Sequence, residues 1–361
     1  MYTLMSVRRD GWVVGEEGHG FRTHVGLSDL VRRGDQADRV DVMLDSVFSH
    51  RGSEHYTRTR TDAHVIEPPA LRVDGPQCAI VLAAQKGMGK SKAIRRALEQ
   101  LPPKTSILNV TFRRVLARGE AANIPGGATY LDEDLHARFS PSTHRALTIV
   151  VNSLWRVDGQ YDVLVLDELV SILEMLAGDL LDGAMRVRIL DTLLRVLEDA
   201  RVVIVADALL DEPSLRIVDG ALCKDARIDA LHYAHAKHEE HQYIAYPGLG
   251  SWKTQLLAAV RSGRRVVVPC LTRAFALRVD DELRRALGPG ARVLTYVADS
   301  EHDMEVHMRE IEDRWQVDAL VYSPVITAGC SFEVRGHFDE CFLYAFQGTA
   351  SVRSALQMTM R

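Results

Sequence analysis

The sequence predicts an α/β fold with two domains in tandem, each built on a parallel sheet. Short apolar runs rich in β-branched residues recur along the chain, and a longer segment with helical spacing follows each of them. This alternation is typical of parallel strands that helices cover on both faces. The series is interrupted at about residues 211–260, where no clear strand pattern is visible. The length of 361 residues is sufficient for two domains at roughly 100–200 residues each.

The expected strands form two series of short apolar segments. The first is CAIVLAAQ, TSILNVTF, ALTIVVNS, YDVLVLDE and RVVIVADA, and the second is RRVVVPC, RVLTYVAD, VDALVYSP and CFLYAF. Helical spacing of apolar residues marks SKAIRRALEQL and GAMRVRILDTLLRVLEDA. We therefore expect an N-terminal extension without a clear pattern at 1–76, a first domain at 77–230, a linker at 231–247 and a second domain at 248–361 that is incomplete at its C-terminal end.

The composition indicates a globular chain, with 47% hydrophobic and 26% charged residues. No apolar run approaches the ~18–20 residues that a membrane span needs, and the N-terminus has no apolar block of signal-peptide length. We therefore expect a soluble, intracellular protein without a membrane partner. The net charge of −5 excludes a globally basic nucleic-acid binder and leaves a local basic groove open. The scattered cysteines fit a reducing compartment; they are Cys78, Cys223, Cys270, Cys330 and Cys341.

The strongest motif is the glycine-rich segment that joins the strand CAIVLAAQ to the helix SKAIRRALEQL. Gly87 and Gly89 allow successive backbone N–H groups to point at phosphate oxygens, and the start of the helix adds its positive dipole end. Ala84 stands where the generic motif has its first glycine. A chance glycine-rich turn is disfavoured by the strand before it and the helix after it. The residues expected to bind the nucleotide are Gly87, Met88, Gly89, Lys90 and Ser91.

Two adjacent carboxylates, Asp167 and Glu168, end the apolar strand YDVLVLDE. Ligands of an open parallel sheet bind beyond the carboxyl ends of its strands. We therefore expect Asp167 to hold Mg²⁺ together with the Ser91 hydroxyl, and Glu168 to activate the attacking water as general base. The alternative is an acidic pair that caps the next helix, and the phosphate loop upstream disfavours it.

Further polar segments lie where strands end, and they argue against a nucleotide kinase or another non-helicase phosphate-loop NTPase. They occupy positions 111–114, 152–154, 205–208, 268–273, 327–333 and 353–361. In this order they resemble the replication-origin-binding helicases of herpesviruses and related large DNA viruses, within superfamily-2 helicases. The resemblance covers roughly residues 77–361, and its most specific parts are TFRRVLA, NSLWR, DELVSILEML, TAGCSFE, HFD and QMTMR.

The resemblance implies two RecA-like domains and an ATP-dependent DNA helicase that acts at replication origins. It implies ATP and Mg²⁺ bound between the domains, with single-stranded DNA, the origin duplex and replication proteins as partners. It also implies a location in the host nucleus or at a viral replication site. Lys90, Asp167 and Glu168 match the family's catalytic positions, and Gln357 and Arg361 match the segment that reaches the γ-phosphate.

DNA-contacting positions follow from the same resemblance. Thr111, Arg113 and Arg114 match a segment that touches the DNA backbone in the first domain, as does Ser153. In the second domain Thr272 and Arg273 match such a segment. Thr327, Gly329 and Ser331 match the loop that senses nucleotide and DNA together.

Two departures from the family pattern leave an alternative open. Positions 206–209 read ADAL, where the family tends to have two aspartates, and the sequence ends at Arg361, before the second arginine of the last motif. An arginine finger accelerates phosphoryl transfer by ~10³–10⁵. The alternative function is therefore an ATP-gated DNA-binding module with weak or no hydrolysis.

Clustered basic and histidine residues have both functional and structural interpretations. Arg113 and Arg114 follow a strand directly, and we expect them to contact DNA. For Arg95 and Arg96 we favour a solvated helix face. The histidines at 232, 235, 238 and 241 are spaced for a metal site on a helix, but we favour a polar linker because no cysteine is near.

Overall fold

The computed structural model of the protein describes residues 3–8, 33–85, 87–122, 124–134, 136–178, 181–235, 242–246, 248–298, 310–326 and 336–345, with the single residues 307, 332, 334 and 358. The chain divides into two units, one of residues 33–237 and one of residues 1–32 with 238–361. The described strands form one sheet in each unit.

The strands in chain order are β1 (Thr3–Arg8), β2 (Tyr56–Thr61), β3 (Cys78–Ala84), β4 (Ile107–Thr111), β5 (Ala128–Thr129), β6 (Ala146–Val150), β7 (Val163–Asp167), β8 (Val202–Asp207), β9 (Arg227–Tyr233), β10 (Gln242–Tyr246), β11 (Val266–Pro269), β12 (Val293–Tyr296), β13 (Ala319–Tyr322) and β14 (Glu340–Ala345). The helices are α1 (Arg33–Phe48), α2 (Lys90–Leu98), α3 (Arg114–Ala122), α4 (Leu169–Ala177), α5 (Gly183–Asp199), α6 (Glu212–Ala221), α7 (Leu249–Arg261), α8 (Arg273–Leu287) and α9 (Ile311–Arg314).

The sheet of the unit 33–237 has eight strands in the order β2-β9-β3-β8-β7-β4-β6-β5. Every neighbouring pair in it is parallel. The central strands β3, β4, β6 and β8 are buried almost throughout, as their continuous apolar sequences predict. The α/β fold class with a large parallel sheet is therefore confirmed.

The sheet of the second unit has six strands in the order β10-β1-β14-β11-β13-β12. The strands β14, β11, β13 and β12 pair in parallel, in agreement with the predicted second series. β1 pairs antiparallel to both β10 and β14, so this sheet is mixed. The pairing of β1 joins residues that are far apart in the sequence, and for that reason no local pattern indicated it.

Helix α2 packs one face into the core of the first unit. Its residues Ile94 and Leu98 lie in one apolar cluster with Ile80 and Leu82 of β3 and with residues of β4, β7 and β8. Full burial of side chains of this size stabilises the fold by roughly 1.5–3 kcal/mol each. This packing fixes the direction in which α2 leaves the end of β3.

Residues 33–76 belong to the same unit as the parallel sheet. β2 extends the sheet beyond β9, and Asp41 of α1 binds the imidazole of His232, with 2.8 Å between Oδ1 and Nδ1. Arg51 donates to the Asp219 carboxylate at 2.6 Å. Residues 231–233, within the expected linker, complete β9, and residues 242–246 form β10.

The helices of the described residues include none that is both long enough and apolar enough to cross a membrane.

Candidate nucleotide site and nucleic-acid interface

The segment between β3 and α2 turns sharply at its glycines. Gly87 has φ +75° and Gly89 has φ +85°, which is the left-handed region that favours glycine. A Cβ added at Gly89 would meet no heavy atom within 4 Å. Gly89 is therefore required by its backbone conformation, and the space around it stays open. Met88 between them packs against Ile66 and Tyr233.

Lys90 is the first residue of α2, and its side chain folds back over the glycine-rich segment. It is 7% exposed, and Nζ donates to the carbonyl oxygens of Ala84 at 2.8 Å and Gln85 at 3.2 Å. Both acceptors are neutral carbonyl oxygens, and phosphate oxygens would bind the ammonium more strongly. The helix start adds partial positive charge at the same place, so the local field favours a phosphate.

Ser91 and Asp167 meet at the carboxyl ends of β3 and β7. The Ser91 hydroxyl donates to Asp167 Oδ2 at 2.5 Å. Burial raises the pKa of Asp167, and the hydrogen bond from Ser91 and the charge of Lys90 act against that shift. A hydroxyl and a carboxylate are oxygen ligands of the kind that Mg²⁺ prefers, so this donor pair fits the metal.

Glu168 has a left-handed backbone at the junction of β7 and α4. Its φ of 65° is the only positive φ of a non-glycine residue in the described part of the chain. Its N–H donates to the Ala206 carbonyl at 2.7 Å, which holds the junction against β8. Such a conformation costs about 1–3 kcal/mol and is concentrated at functional sites. The sharp turn places two carboxylates in succession at the end of one strand.

Asp207 at the end of β8 supports this junction. It is fully buried, and its carboxylate accepts from the N–H groups of Val170 at 3.0 Å and Leu209 at 2.8 Å. Asp207 therefore caps the first turn of α4, directly after Glu168. The single aspartate of the segment 206–209 is used to fix the helix that follows the carboxylate pair.

The arginines expected to contact DNA lie at the start of α3. Arg113 is half-buried, and its guanidinium is 5.5 Å from the Phe112 ring centroid. Burial lowers the pKa of Arg113, and its buried Nε has no hydrogen-bond partner among the residues that the structure describes. Arg114 is exposed and begins α3. The Nε of Arg113 is closed to solvent, whereas the exposed Arg114 side chain is accessible to an anion.

Thr111 and Ser153 differ in accessibility. Thr111 is 1% exposed, and its hydroxyl donates to Glu120 Oε1 at 3.3 Å. Ser153 is half-buried in the short 3-10 helix Val151–Arg156 after β6. The hydroxyl of Thr111 therefore faces the protein interior, whereas Ser153 is partly open to solvent.

In the second unit, Thr272 and Arg273 lie where β11 gives way to α8. The Thr272 hydroxyl accepts from the Phe275 N–H at 3.2 Å and caps the helix, and Arg273 is exposed as the first helical residue. The remaining expected residues lie outside the described residues; they are Thr327, Gly329, Ser331, Gln357 and Arg361. The backbone of Met358, between the last two, accepts a hydrogen bond from the Tyr322 hydroxyl at 2.5 Å.

Glu120 is a third acid near the carboxylate pair that our sequence analysis missed. Its carboxylate accepts from the Asn109 amide at 3.0 Å and from Thr111. Burial, together with the charges of Asp167 and Glu168, raises the pKa of Glu120 to about 8. A signal was present in the sequence, because Asn109 interrupts an otherwise apolar buried strand.

The described histidines of the 232–241 series do not form a metal site. His232 is buried against Asp41, and His235 forms a hydrogen bond with His64, with 2.8 Å between Nε2 and Nδ1. His238 and His241 lie outside the described residues. Within the described ranges, no three His, Cys, Asp or Glu side chains are grouped to hold a metal ion.

Comparison with known families and proteins gives matches in viral DNA replication. The family model described as origin of replication binding protein matches residues 45–228. A bovine herpesvirus 1.1 replication origin-binding protein is 29% identical over 312 residues, which is 77% of this chain and 35% of that protein. The corresponding protein of human herpesvirus 2 is 26% identical over 362 residues, covering 91% of this chain and 40% of that protein.

An African swine fever virus protein named for a helicase/primase complex is 24% identical over 334 residues, covering 89% of this chain and 30% of that protein. The chain thus spans only 30–40% of the length of these three relatives. Among solved structures, Mss116p bound to ssRNA and AMP-PNP has a TM-score of 0.48 and 13% identity, covering 89% of this chain and 69% of that one. A likeness at that score carries no argument about function.

Proposed function

The chain belongs to the origin of replication binding protein family, and on that premise we propose that it is an ATP-dependent DNA helicase or translocase of the origin-binding type. ATP and Mg²⁺ are the proposed cofactors, and single-stranded and origin DNA are the proposed substrates. Replication proteins are the proposed partners, because relatives are named for a helicase/primase complex. The proposed place of action is the host nucleus or a viral replication site.

One observation carries the proposal: the hydrogen bond between Ser91 after the glycine-rich segment and Asp167 at the end of β7. It brings together a hydroxyl and a carboxylate that are 76 positions apart in the sequence. Burial raises the pKa of Asp167, and the charge of the nearby Lys90 acts against that rise. A phosphate-binding cation, a metal-binding hydroxyl and a carboxylate at one sheet edge are the parts that nucleotide hydrolysis requires.

Each of these residues has a proposed role in hydrolysis. Lys90 exchanges its carbonyl partners for the β- and γ-phosphate oxygens, which form stronger, charge-assisted hydrogen bonds. Ser91 and Asp167 would hold Mg²⁺, and the bound metal would neutralise charge on the phosphates. Glu168 orients the attacking water and accepts its proton. The left-handed backbone of Glu168 and the Asp207 cap on α4 fix the backbone position from which that carboxylate projects.

The proposed DNA interface is centred on Arg113 and Arg114. Arg114 is exposed at the first position of α3 and would meet a backbone phosphate directly, and the half-buried Arg113 beside it adds a second positive charge. Contacts to phosphates position a polynucleotide without reading its sequence. This is what a motor needs, because it must pass over every base. The net charge of −5 means that attraction to DNA must come from this local surface.

The test is strand separation by the chain on a forked DNA duplex, followed by the signal of a fluorophore and quencher pair. We expect separation with ATP and Mg²⁺, and none with AMP-PNP. ATP-dependent retention of DNA without strand separation would instead assign an ATP-gated binding module. ATP binding without any effect on DNA would assign a phosphate-loop NTPase of another kind and would overturn the proposal.

A further inference from the structure

Three polar side chains lie within otherwise apolar strands of the parallel sheet. Asn109 and Thr111 of β4 and Thr148 of β6 are all buried. Burying such groups without a partner costs about 1–3 kcal/mol each, so their presence requires a hydrogen-bond network. Since all three lie away from solvent, the network is part of the interior rather than a surface feature.

Glu120 of α3 completes that network. Its Oε2 accepts from Asn109 Nδ2 at 3.0 Å, and its Oε1 accepts from Thr111 Oγ1 at 3.3 Å. Asn109 Nδ2 also lies 3.4 Å from Thr148 Oγ1. One carboxyl group therefore links α3 to two residues of β4 and, through Asn109, to β6. A connected network of this kind rigidifies the elements that it joins.

Helix α3 connects this network to the proposed DNA surface. The helix begins at Arg114, directly after Arg113, and Glu120 lies in its last turn. A phosphate that binds the arginines would therefore shift a short helix of nine residues. The far end of that helix is tied to β4 by Glu120.

The same network reaches the nucleotide site through the sheet. β4 pairs with β7 in the register Val110 to Leu166, and the next pair along would place Thr111 beside Asp167. Burial is the main cause of the raised pKa of Glu120, and the charges of Asp167 and Glu168 add to it. Glu120 is thus close enough to both acids to interact with them electrostatically, without a direct hydrogen bond to either in the described contacts.

We propose that Glu120 is a positioning residue that couples DNA binding at the start of α3 to nucleotide binding at Ser91 and Asp167. The inference rests on the proposed function, because it requires both ligands to bind this unit. When DNA binding moves α3, the Glu120 carboxyl moves with it. Thr111, which is hydrogen-bonded to Glu120, then shifts at the end of β4, next to Asp167. By reciprocity, nucleotide binding changes the affinity for DNA by the same factor.

The experiment measures this coupling without requiring hydrolysis. Fluorescence anisotropy gives the affinity of the chain for a labelled single-stranded oligonucleotide, with and without saturating AMP-PNP and Mg²⁺. The ratio of the two affinities is the coupling factor, and couplings between sites are typically about 5- to 150-fold. The variants are Glu120→Ala, Glu120→Gln and, as control, Glu99→Ala. Glu99 is exposed directly after α2 and pairs with Arg95.

We expect Glu120→Ala to reduce the coupling factor by roughly 2- to 30-fold, while each ligand alone still binds. Glu120→Gln should retain most of the coupling at pH 7, because an amide can accept from Asn109 and donate to Thr111. Glu99→Ala should match the parent. If Glu120→Ala does not fold by circular dichroism, Asn109→Leu removes one of the two hydrogen bonds and should give an intermediate loss.

Several outcomes would overturn the inference. If the parent binds both ligands independently, there is no coupling for Glu120 to carry, and the proposed function still stands. An unchanged factor in Glu120→Ala, with only its thermal stability reduced, would make the network merely structural. A parent that binds neither AMP-PNP nor DNA would remove the proposed function, and the inference with it.

Discussion

The hydroxyl of Ser91 donates to the carboxylate of Asp167 at 2.5 Å, across the carboxyl ends of two strands. β8 lies between β3 and β7 in the sheet, so this contact spans one intervening strand. It is possible because α2 starts directly after the glycine turn and presents Ser91 toward β7. The hydrogen bond brings together the two residues that we propose as metal ligands.

Replacing Lys90 with Ala should weaken nucleotide binding by at least about tenfold, since hydrogen bonds to charged groups contribute roughly 1.5–3 kcal/mol. The loss should be seen by calorimetric titration with AMP-PNP and Mg²⁺. Lys92→Ala is the matched control, because Lys92 is exposed on the same helix. Equal affinities of the two variants would mean that the Lys90 ammonium does not meet the phosphates.

The left-handed backbone of Glu168 should lower the stability of the protein at a residue that we propose as catalytic. Glu168→Gly removes the cost of a left-handed side-chain-bearing residue and should be more stable than Glu168→Gln by ~1 kcal/mol. Both variants lack the carboxylate, so the difference in their stability reports on the backbone conformation alone. Urea unfolding measures the stability of each variant. A lower unfolding midpoint for the glycine variant would show that the conformation at residue 168 is not strained.

Replacing Arg113 and Arg114 together with Ala should weaken single-stranded DNA binding to a similar degree for unrelated sequences. The plot of log affinity against log salt should become shallower by roughly one to two counterions. Nucleotide binding should be retained, because neither residue contacts the glycine-rich segment in the described contacts. The control is Arg95→Ala with Arg96→Ala, which removes the same charge from α2. If both double variants lose affinity equally, attraction to DNA is not local to α3.

Glu120 predicts a pH-dependent difference in stability in the absence of nucleotide and metal. Its pKa rises from 4.5 to about 8 on folding, so between these values the folded state binds more protons than the unfolded state. Stability from this group is therefore present at low pH and is lost as the pH rises to about 8. Glutamine does not titrate, so the advantage of Glu120→Gln in melting temperature should grow from pH 5 to pH 8 and then level off. A constant difference would contradict the shifted pKa.

The parts of the fold that follow from continuous apolar runs could be predicted from the sequence. Each of the nine expected strands from CAIVLAAQ to CFLYAF overlaps a strand of the structure. The strands β2 and β9 were missed for different reasons: YTRTRT of the edge strand β2 is almost entirely polar, whereas RIDALHY of β9 alternates polar and apolar residues. β1 was missed because its partners β10 and β14 are more than 200 positions away.

At the site, too, contiguous motifs could be recognised from the sequence, whereas contacts between distant residues could not. The glycine turn and the acid pair were recognisable because each is contiguous, and the structure brings Lys90, Ser91 and Asp167 together. Their roles in catalysis stay predictions. A motif could not indicate that the Thr111 hydroxyl faces Glu120, since side-chain direction depends on how α3 packs. Asn109 was the available sequence signal, because a buried polar side chain in a largely apolar strand needs a hydrogen-bond partner.

The central claim is that Glu168 activates water at a site where Ser91 and Asp167 hold the metal, and steady-state ATP turnover with single-stranded DNA tests it most directly. The parent and Glu168→Gln are compared for turnover, and calorimetric titration compares their affinities for ATP with Mg²⁺. We predict that the variant binds ATP as the parent does and hydrolyses it ~10²–10⁴ more slowly. Lost nucleotide affinity with the variant would reverse the roles of the two acids, and unchanged turnover would contradict the assignment of the site.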